Sequence, residues 1–213
     1  IVLISGSGTN LQAIIDRANE DLPIEIRAVI SNRPGVAGLQ RAADAGLETR
    51  VLDHKAYPDR ESYDQALVEL IDSFHPGLVV LAGFMRILTP AFVRHYAGRL
   101  FNIHPSLLPS YRGLHTHQRA LDAGDPLHGV TVHFVTEELD GGPLIAQAQV
   151  PVLPDDDEES LAARVLKREH QLYPLAIRWF AERRLKLDED GHVNLDDKQR
   201  TGPVVFAPEE AIG

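Results

Sequence analysis

Residues Phe101 to Thr116 read FNIHPSLLPSYRGLHT, and the fold follows from how that stretch begins. Leu100-Phe101 closes a buried strand, and the chain leaves it through an amide, Asn102, and an imidazole, His104. Side chains alternate across a strand, so positions i and i+2 share one side of the backbone. Pro105 has no N–H to contribute and ends the ladder, and Leu107-Leu108-Pro109 and Arg112-Gly113 continue as a loop. A polar pair at the carboxyl end of a buried strand, followed by a loop punctuated with Pro and Gly, is how an open α/β sheet presents a site.

Working outward, the pattern is strand, helix, strand, helix. The aliphatic run Ile1–Ile4 predicts a first strand, and Leu11, Ile14, Ile15 and Ala18 a helix after Gly6-Ser7-Gly8-Thr9-Asn10. Ile24–Ile30 reads as a second strand, Val36–Ala45 as a short helix ending at Gly46, and Thr49–Leu52 as a third strand. Tyr63, Leu67, Leu70, Ile71 and Phe74 stripe a helix that Pro76-Gly77 ends. Leu78–Ala82 is a continuous apolar strand of the kind buried on both faces of a parallel sheet. Gln118–Ala123 predicts a short helix. Val130–Val135 and Leu144–Val150 predict two strands with too little between them for a crossover helix, hence an antiparallel pair. Ser160–Arg183 is the longest helix, with Ser160 as candidate N-cap and the acidic run Asp155–Glu159 as solvated loop and helix start. The tail from Leu185 alternates weakly around Asp190-Gly191 and predicts a small hairpin before fraying. The expectation is an α/β fold: one domain over 1–184, a mostly parallel sheet flanked by helices, with an antiparallel extension and a hairpin or tail over 185–213 that is not a separate domain.

Composition narrows the function classes. With 213 residues and 44% hydrophobic residues there is ample core. No apolar run approaches the roughly 20 residues of a membrane span. The chain opens directly in the strand-like segment Ile1–Ile4, with an initiator Met and a residue or two missing from its start, and no signal peptide is expected. Cysteine is absent, so disulfides and thiolate metal sites are unavailable, and a cytoplasmic location is expected. A net charge of −10 argues against a nucleic-acid surface. An anionic ligand must therefore be held by local groups.

Four features carry candidate chemistry. The Gly6-x-Gly8 loop joins a strand to a helix, where backbone N–H groups and the helix dipole bind a phosphate. Leu11 replaces the third glycine of a dinucleotide fingerprint, Ser31-Asn32-Arg33 lacks the ribose-binding acid, and no Gly-Lys-Ser/Thr follows. A phosphomonoester fits best; a tight turn without ligand is the alternative. Glu169 falls inside the stripe of Leu161, Val165, Leu172, Ala176 and Phe180. A buried carboxylate needs a partner, either a bound ligand or an internal Arg or Lys. Asp140 lies in EELDGGP (137–143), where two glycines and a proline permit unusual backbone angles and close approach of a ligand, or an ordinary hairpin turn. His115 and His117 do not share a helix face and have no acidic partner at ligand spacing, so no metal site is expected. His54, His75, His95, His128, His170 and His192 read as scattered surface residues.

The set ISGSGTN (4–10), AGFMRIL (82–88), NIHPSLLPSYRGLHTH (102–117), HFVTEELDGGP (133–143) and REHQLYP (168–174) resembles the folate-dependent phosphoribosylglycinamide formyltransferases through all but about the last twenty residues. The resemblance implies a Rossmann-like formyltransferase fold and direct formyl transfer from 10-formyltetrahydrofolate, a co-substrate, to the amine of glycinamide ribonucleotide in purine biosynthesis. It implies no covalent enzyme intermediate, metal or tightly bound cofactor. Carried over by motif, Asn102, His104 and Asp140 match the catalytic trio. Gly8, Thr9 and Asn10 would hold the substrate phosphate, and Leu166, Lys167, Arg168 and Glu169 would contact the same ligand. Met85, Arg86, Ile87 and Leu88 resemble the folate wall and its backbone edge. Arg60 matches a basic position near the folate's glutamate tail, and Thr136, Glu137, Glu138, Leu139 and Asp140 a loop over the pteridine, with Asn102 also against the folate. Partners would be small molecules, not nucleic acid or membrane, with the protein a monomer or homodimer.

The chemistry agrees with that trio. An amine attacking a formamide carbon creates an oxyanion and an ammonium. Asn102 and a charged His104 donate to the oxyanion, and an ionised Asp140 favours the imidazolium and takes the amine's proton. Methionyl-tRNA formyltransferase and formyltetrahydrofolate hydrolase share a similar core but carry further domains for which this chain is too short. The acidic charge also disfavours tRNA. A non-catalytic nucleotide-binding module would not need all three catalytic residues.

Overall fold

The computed structural model describes residues 1–213, which divide into two compact units, Ile1–Asn102 and Ile103–Gly213. In the first, the elements are β1 (Val2–Ile4), α1 (Thr9–Ala18), β2 (Val29–Ser31), α2 (Ala37–Asp44), β3 (Thr49–Val51), α3 (Arg60–Asp72), β4 (Val79–Leu81), α4 (Pro90–His95) and the start of β5 (Leu100–His104). Their order is β5-β4-β1-β2-β3, with every pair parallel. Strands β1, β2 and β4 are buried throughout, as expected where helices cover both faces of a parallel sheet. Leu11 and Ile14 of α1 and Leu67 and Ile71 of α3 are fully buried.

The second unit holds α5 (Thr116–Ala123), β6 (Leu127–Phe134), β7 (Leu144–Pro151), α6 (Glu158–Ala181), β8 (Leu185–Leu187), β9 (Val193–Leu195), β10 (Lys198–Gln199) and β11 (Val204–Phe206). Strands β6 and β7 are antiparallel, and β11 returns beside β7 in parallel. Strands β8, β9 and β10 form a separate antiparallel sheet. The fold class expected from the sequence therefore holds: mostly parallel strands flanked by helices, with a small antiparallel sheet near the C-terminus. No helix is long and apolar enough to cross a membrane.

Several local expectations need correction. The strand expected over Ile24–Ile30 is confined to Val29–Ser31, because β1 pairs from Val2 with Val29 and no partner lies further out. The helix α4 was not anticipated, although its signature is present: Thr89 Oγ1 accepts from the Phe92 N–H at 3.3 Å, and Pro90 occupies the first turn. Six residues are too few to show a period. Asp157, not Ser160, caps α6; Ser160 sits three positions on and completes a reciprocal capping box. The acidic run is not wholly solvated either. The Asp156 side chain is 3% exposed and receives both terminal nitrogens of Arg164, at 2.6 and 2.8 Å. The Arg164 guanidinium holds its carboxyl well below the usual carboxylate range.

Candidate active site

Strand β5 ends in the two polar residues singled out above, with Asn102 half-buried and His104 6% exposed. Beyond it the loop is tied to the β6–β7 pair by buried polar side chains. Thr131 Oγ1 donates to the Ser106 carbonyl at 2.7 Å and accepts from the Leu108 N–H at 3.1 Å, and Gln147 Nε2 donates to the Leu108 carbonyl at 2.8 Å. These bonds replace the ladder that Pro105 interrupts. They carry the loop to Tyr111, whose carbonyl lies 2.8 Å from His104 Nε2.

The second nitrogen of His104 faces a carboxylate: Nδ1 lies 3.6 Å from Asp140 Oδ2, and both side chains are 8% exposed. The carbonyl requires a proton on Nε2, and the carboxylate favours one on Nδ1. Each ring nitrogen thus faces an oxygen acceptor. The Nδ1 separation exceeds hydrogen-bond length, so that N–H is directed toward Asp140 without being committed to it.

The position of Asp140 is set by its turn. Its φ is 48°, the left-handed region that Asp tolerates better than most residues. Its Oδ2 accepts from the Gly113 N–H at 2.9 Å. Gly142 is required beside it, because a Cβ there would stand 1.8 Å from the Phe134 carbonyl oxygen. Glu138 in the same turn pairs with Arg112, while Leu139 is left 55% exposed.

His133, inside a quoted motif but given no role from sequence, belongs to this group. It is buried, its Nδ1 donates to the Phe134 carbonyl at 2.9 Å, and its Nε2 lies 4.0 Å from Asp140 Oδ1. Burial lowers its pKa, which keeps the ring neutral. With the proton on Nδ1, Nε2 is a bare acceptor without a hydrogen-bond partner. Asp140 Oδ1 and His133 Nε2 thus form a pair of buried acceptors. His133 sits where the β6–β7 register shifts, between Val132 and His133.

His128, expected at the surface, is 1% exposed, and its Nε2 lies 3.0 Å from His117 Nδ1 on α5. Burial first, and His117 second, push its pKa down to about 4. The folded protein holds this ring neutral where the unfolded chain would protonate it. Its contribution to stability is therefore complete above the ordinary value near 6.5 and is lost progressively as pH falls toward about 4. In His128→Gln, urea midpoints followed from pH 7 to 4.5 fall less steeply than in the parent; an unchanged slope would contradict this.

In the first unit, α1 begins at a left-handed Gly8, φ 72°, with no side-chain cap and no acidic residue in its first turn. Its leading N–H groups thus have no capping side chain, as an anion site at a helix N-terminus requires. A Cβ on Gly8 would stand 2.6 Å from Gly38 Cα, and the Gly38 N–H donates to the Gly6 carbonyl at 2.9 Å. Arg41 Nε donates to the Ser7 carbonyl at 2.8 Å, so the loop's carbonyls point back into α2.

Residues 85–88 are clamped at both ends. The Met85 N–H donates to Ser5 Oγ at 2.8 Å, and the Thr89 N–H to the buried Asp64 Oδ2 at 2.7 Å. Met85 and Ile87 are left 71% and 58% exposed, and the Arg86 guanidinium covers the Tyr63 ring at 4.4 Å. Two large apolar side chains are thus left exposed on a loop clamped at both ends. Leu88 is half-buried and Arg60 exposed in the first turn of α3. On α6, Glu169 is 8% exposed within the apolar stripe, Leu166 and Arg168 are half-buried, and Lys167 is exposed.

A family model for formyl transferases matches residues 1–177. This chain belongs to the formyl transferase family. Phosphoribosylglycinamide formyltransferase of Escherichia coli (strain K12) is 55% identical over 211 residues, covering 99% of each chain. The protein of that name from Haemophilus influenzae is 50% identical over 198 residues, 92% of this chain and 93% of the relative. A solved phosphoribosylglycinamide formyltransferase from Coxiella burnetii superposes with a TM-score of 0.93 at 51% identity, covering 96% of this chain and 97% of its own. The formyl transferase match takes in β5, the Asp140 turn and most of α6, and it stops short of β8 to β11.

Proposed function

We propose that this chain transfers the formyl group of 10-formyltetrahydrofolate to the amine of N1-(5-phosphoribosyl)glycinamide, a step of purine biosynthesis. The observation that carries the reading is the His104 ring, held by the Tyr111 carbonyl on one nitrogen and facing Asp140 on the other. The amine nitrogen attacks the formyl carbon, and the carbonyl electrons move to oxygen. Asn102 and the Nδ1–H of His104 donate to that oxyanion. The new ammonium loses a proton to Asp140, directly or through water, beside the second acceptor at His133 Nε2. As the oxyanion collapses, the bond to the folate nitrogen breaks and that nitrogen takes the proton. Direct transfer needs no covalent enzyme intermediate, metal or tightly bound cofactor.

For the substrates, Gly8, Thr9 and Asn10 hold the phosphate, and the segment Leu166–Glu169 serves the rest of the ribonucleotide, with Glu169 at its polar end. Met85 to Leu88, Thr136 to Asp140 and Asn102 line the folate, with Arg60 toward its glutamate tail. Residues 1–184 act as the formyltransferase domain and 185–213 as its tail. The protein works in the cytoplasm on small molecules, without nucleic acid or membrane, as a monomer or homodimer.

An acceptor panel tests this reading. With 10-formyltetrahydrofolate as donor, release of tetrahydrofolate should require glycinamide ribonucleotide and should not be supported by methionyl-tRNA. Turnover with methionyl-tRNA alone, or with water alone, would overturn it.

The phosphate assignment has its own test. Gly8→Ala forces a side chain into the left-handed region, at a cost of about 1–2 kcal/mol. It also pushes the loop off Gly38, turning the N–H groups away from the phosphate. Titration should show ribonucleotide affinity falling while folate affinity holds. Equal loss for both ligands would mean that the loop serves the fold and not the phosphate.

A further inference from the structure

The α6 segment carries a cation whose donors are turned toward the tail of the chain. Arg168 Nη1 donates to the Glu210 carbonyl and Nη2 to the Ala207 carbonyl, each at 2.8 Å. The tail closes on itself there: the Glu210 N–H donates to the Ala207 carbonyl at 3.0 Å, and Glu210 Oε2 accepts from the Ala207 N–H at 2.6 Å. Immediately before this turn, β11 pairs with β7, Val204 opposite Ala146 and Phe206 opposite Ala148. The tail is therefore fixed to β7 by its ladder and to α6 by Arg168, and it braces one against the other. A guanidinium suits this role, since its rigid fork reaches two carbonyls with little further loss of freedom. A chain terminus without such a tie frays.

We propose that Arg168 is a positioning residue of the ribonucleotide site, acting through the Ala207–Glu210 turn and not by touching the ligand. The inference rests on the assignment of this α6 segment, Glu169 above all, to the ribonucleotide, and it moves Arg168 from ligand contact to support of that segment. Glu169 follows Arg168 directly, so the brace fixes the turn of α6 that presents its carboxylate. A small displacement of such a group weakens binding far more than it alters the fold. Residues 204–210 lie beyond residues 1–177, the stretch matched by the formyl transferase family model.

The test compares Arg168→Met, Arg168→Lys, Glu210→Ala and the Arg168→Met/Glu210→Ala double variant in the full-length protein. Arg168→Met should raise KM for glycinamide ribonucleotide about tenfold, the equivalent of one charge-assisted hydrogen bond, with KM for the folate and kcat little changed. Glu210→Ala, which leaves α6 untouched, should move the same constant in the same direction. The double variant should be no worse than Arg168→Met, because both act through one turn. Arg168→Lys should recover part of the loss, and trypsin should cut the tail sooner in Arg168→Met than in the parent. A silent Glu210→Ala beside a damaging Arg168→Met would overturn the proposal and place Arg168 on the ligand. Unchanged KM in both single variants would make the brace purely structural, again overturning it. If Glu169→Gln leaves ribonucleotide affinity intact, the segment assignment fails and the proposal with it; the trypsin result then still reports whether the tie exists.

Discussion

Asp140→Asn should lower turnover by about 10²–10⁴-fold, the range for loss of one proton-transfer group, and should leave folate affinity nearly unchanged. The substitution is unusually clean here. Asn tolerates the left-handed backbone that Asp140 adopts, and an amide oxygen still accepts from the Gly113 N–H. What disappears is the charge facing His104 Nδ1 and the basic oxygen beside His133 Nε2. In the proposed mechanism both roles of Asp140 are lost together, the charge facing His104 and the acceptor for the ammonium's proton. His104→Ala should fall in the same range, because it removes the donor to the oxyanion. The double variant should be little worse than either alone, since the two groups act as one unit. Near-parental turnover in either single variant, with the fold intact, would remove the trio from the mechanism.

Glu169→Gln should weaken the ribonucleotide by about 10- to 150-fold, corresponding to roughly 1.5–3 kcal/mol for a hydrogen bond to a charged group. The residue is 8% exposed and flanked on its stripe by Val165 and Leu172, both fully buried. Gln preserves its shape and removes only the charge. If that charge serves the ligand, ribonucleotide affinity falls while thermal stability of the unliganded protein changes little. If it serves the interior, stability drops sharply and affinity does not. Melting temperature and ribonucleotide affinity of this one variant separate the two roles, and a destabilised protein with unchanged affinity would refute the ligand role.

What was legible in the sequence was whatever depends on local pattern. Continuous apolar runs identified β1 and β4, and the short link between β6 and β7 gave their antiparallel pairing. The i, i+2 spacing of Asn102 and His104, ended by Pro105, placed a polar pair at a strand's close, and Asp140 was marked by the glycines that follow it. What was not legible depends on long-range partners. Nothing near Asp156 in sequence announces Arg164 eight residues on, and a solvated acidic run has the same composition as one with a buried member. His128 reads as a surface histidine in sequence, because its contact with His117 of α5 comes only with the fold, and nothing local marks His133 as buried. The end of β2 depends on where β1 begins, which propensity does not reveal. The clasp of Arg168 on Ala207 and Glu210 joins positions about forty residues apart, beyond any periodic signal.

The most direct measurement follows a ¹³C-labelled formyl group through one turnover. Enzyme in excess of 10-formyltetrahydrofolate is mixed with glycinamide ribonucleotide and quenched at intervals, and the label is traced by mass in protein and small molecules. The account predicts that the label passes from the folate to the amine of the ribonucleotide at the rate of folate consumption, with the protein mass unchanged at every interval. A protein species carrying the formyl group, or label released as formate with none on the ribonucleotide, would contradict it.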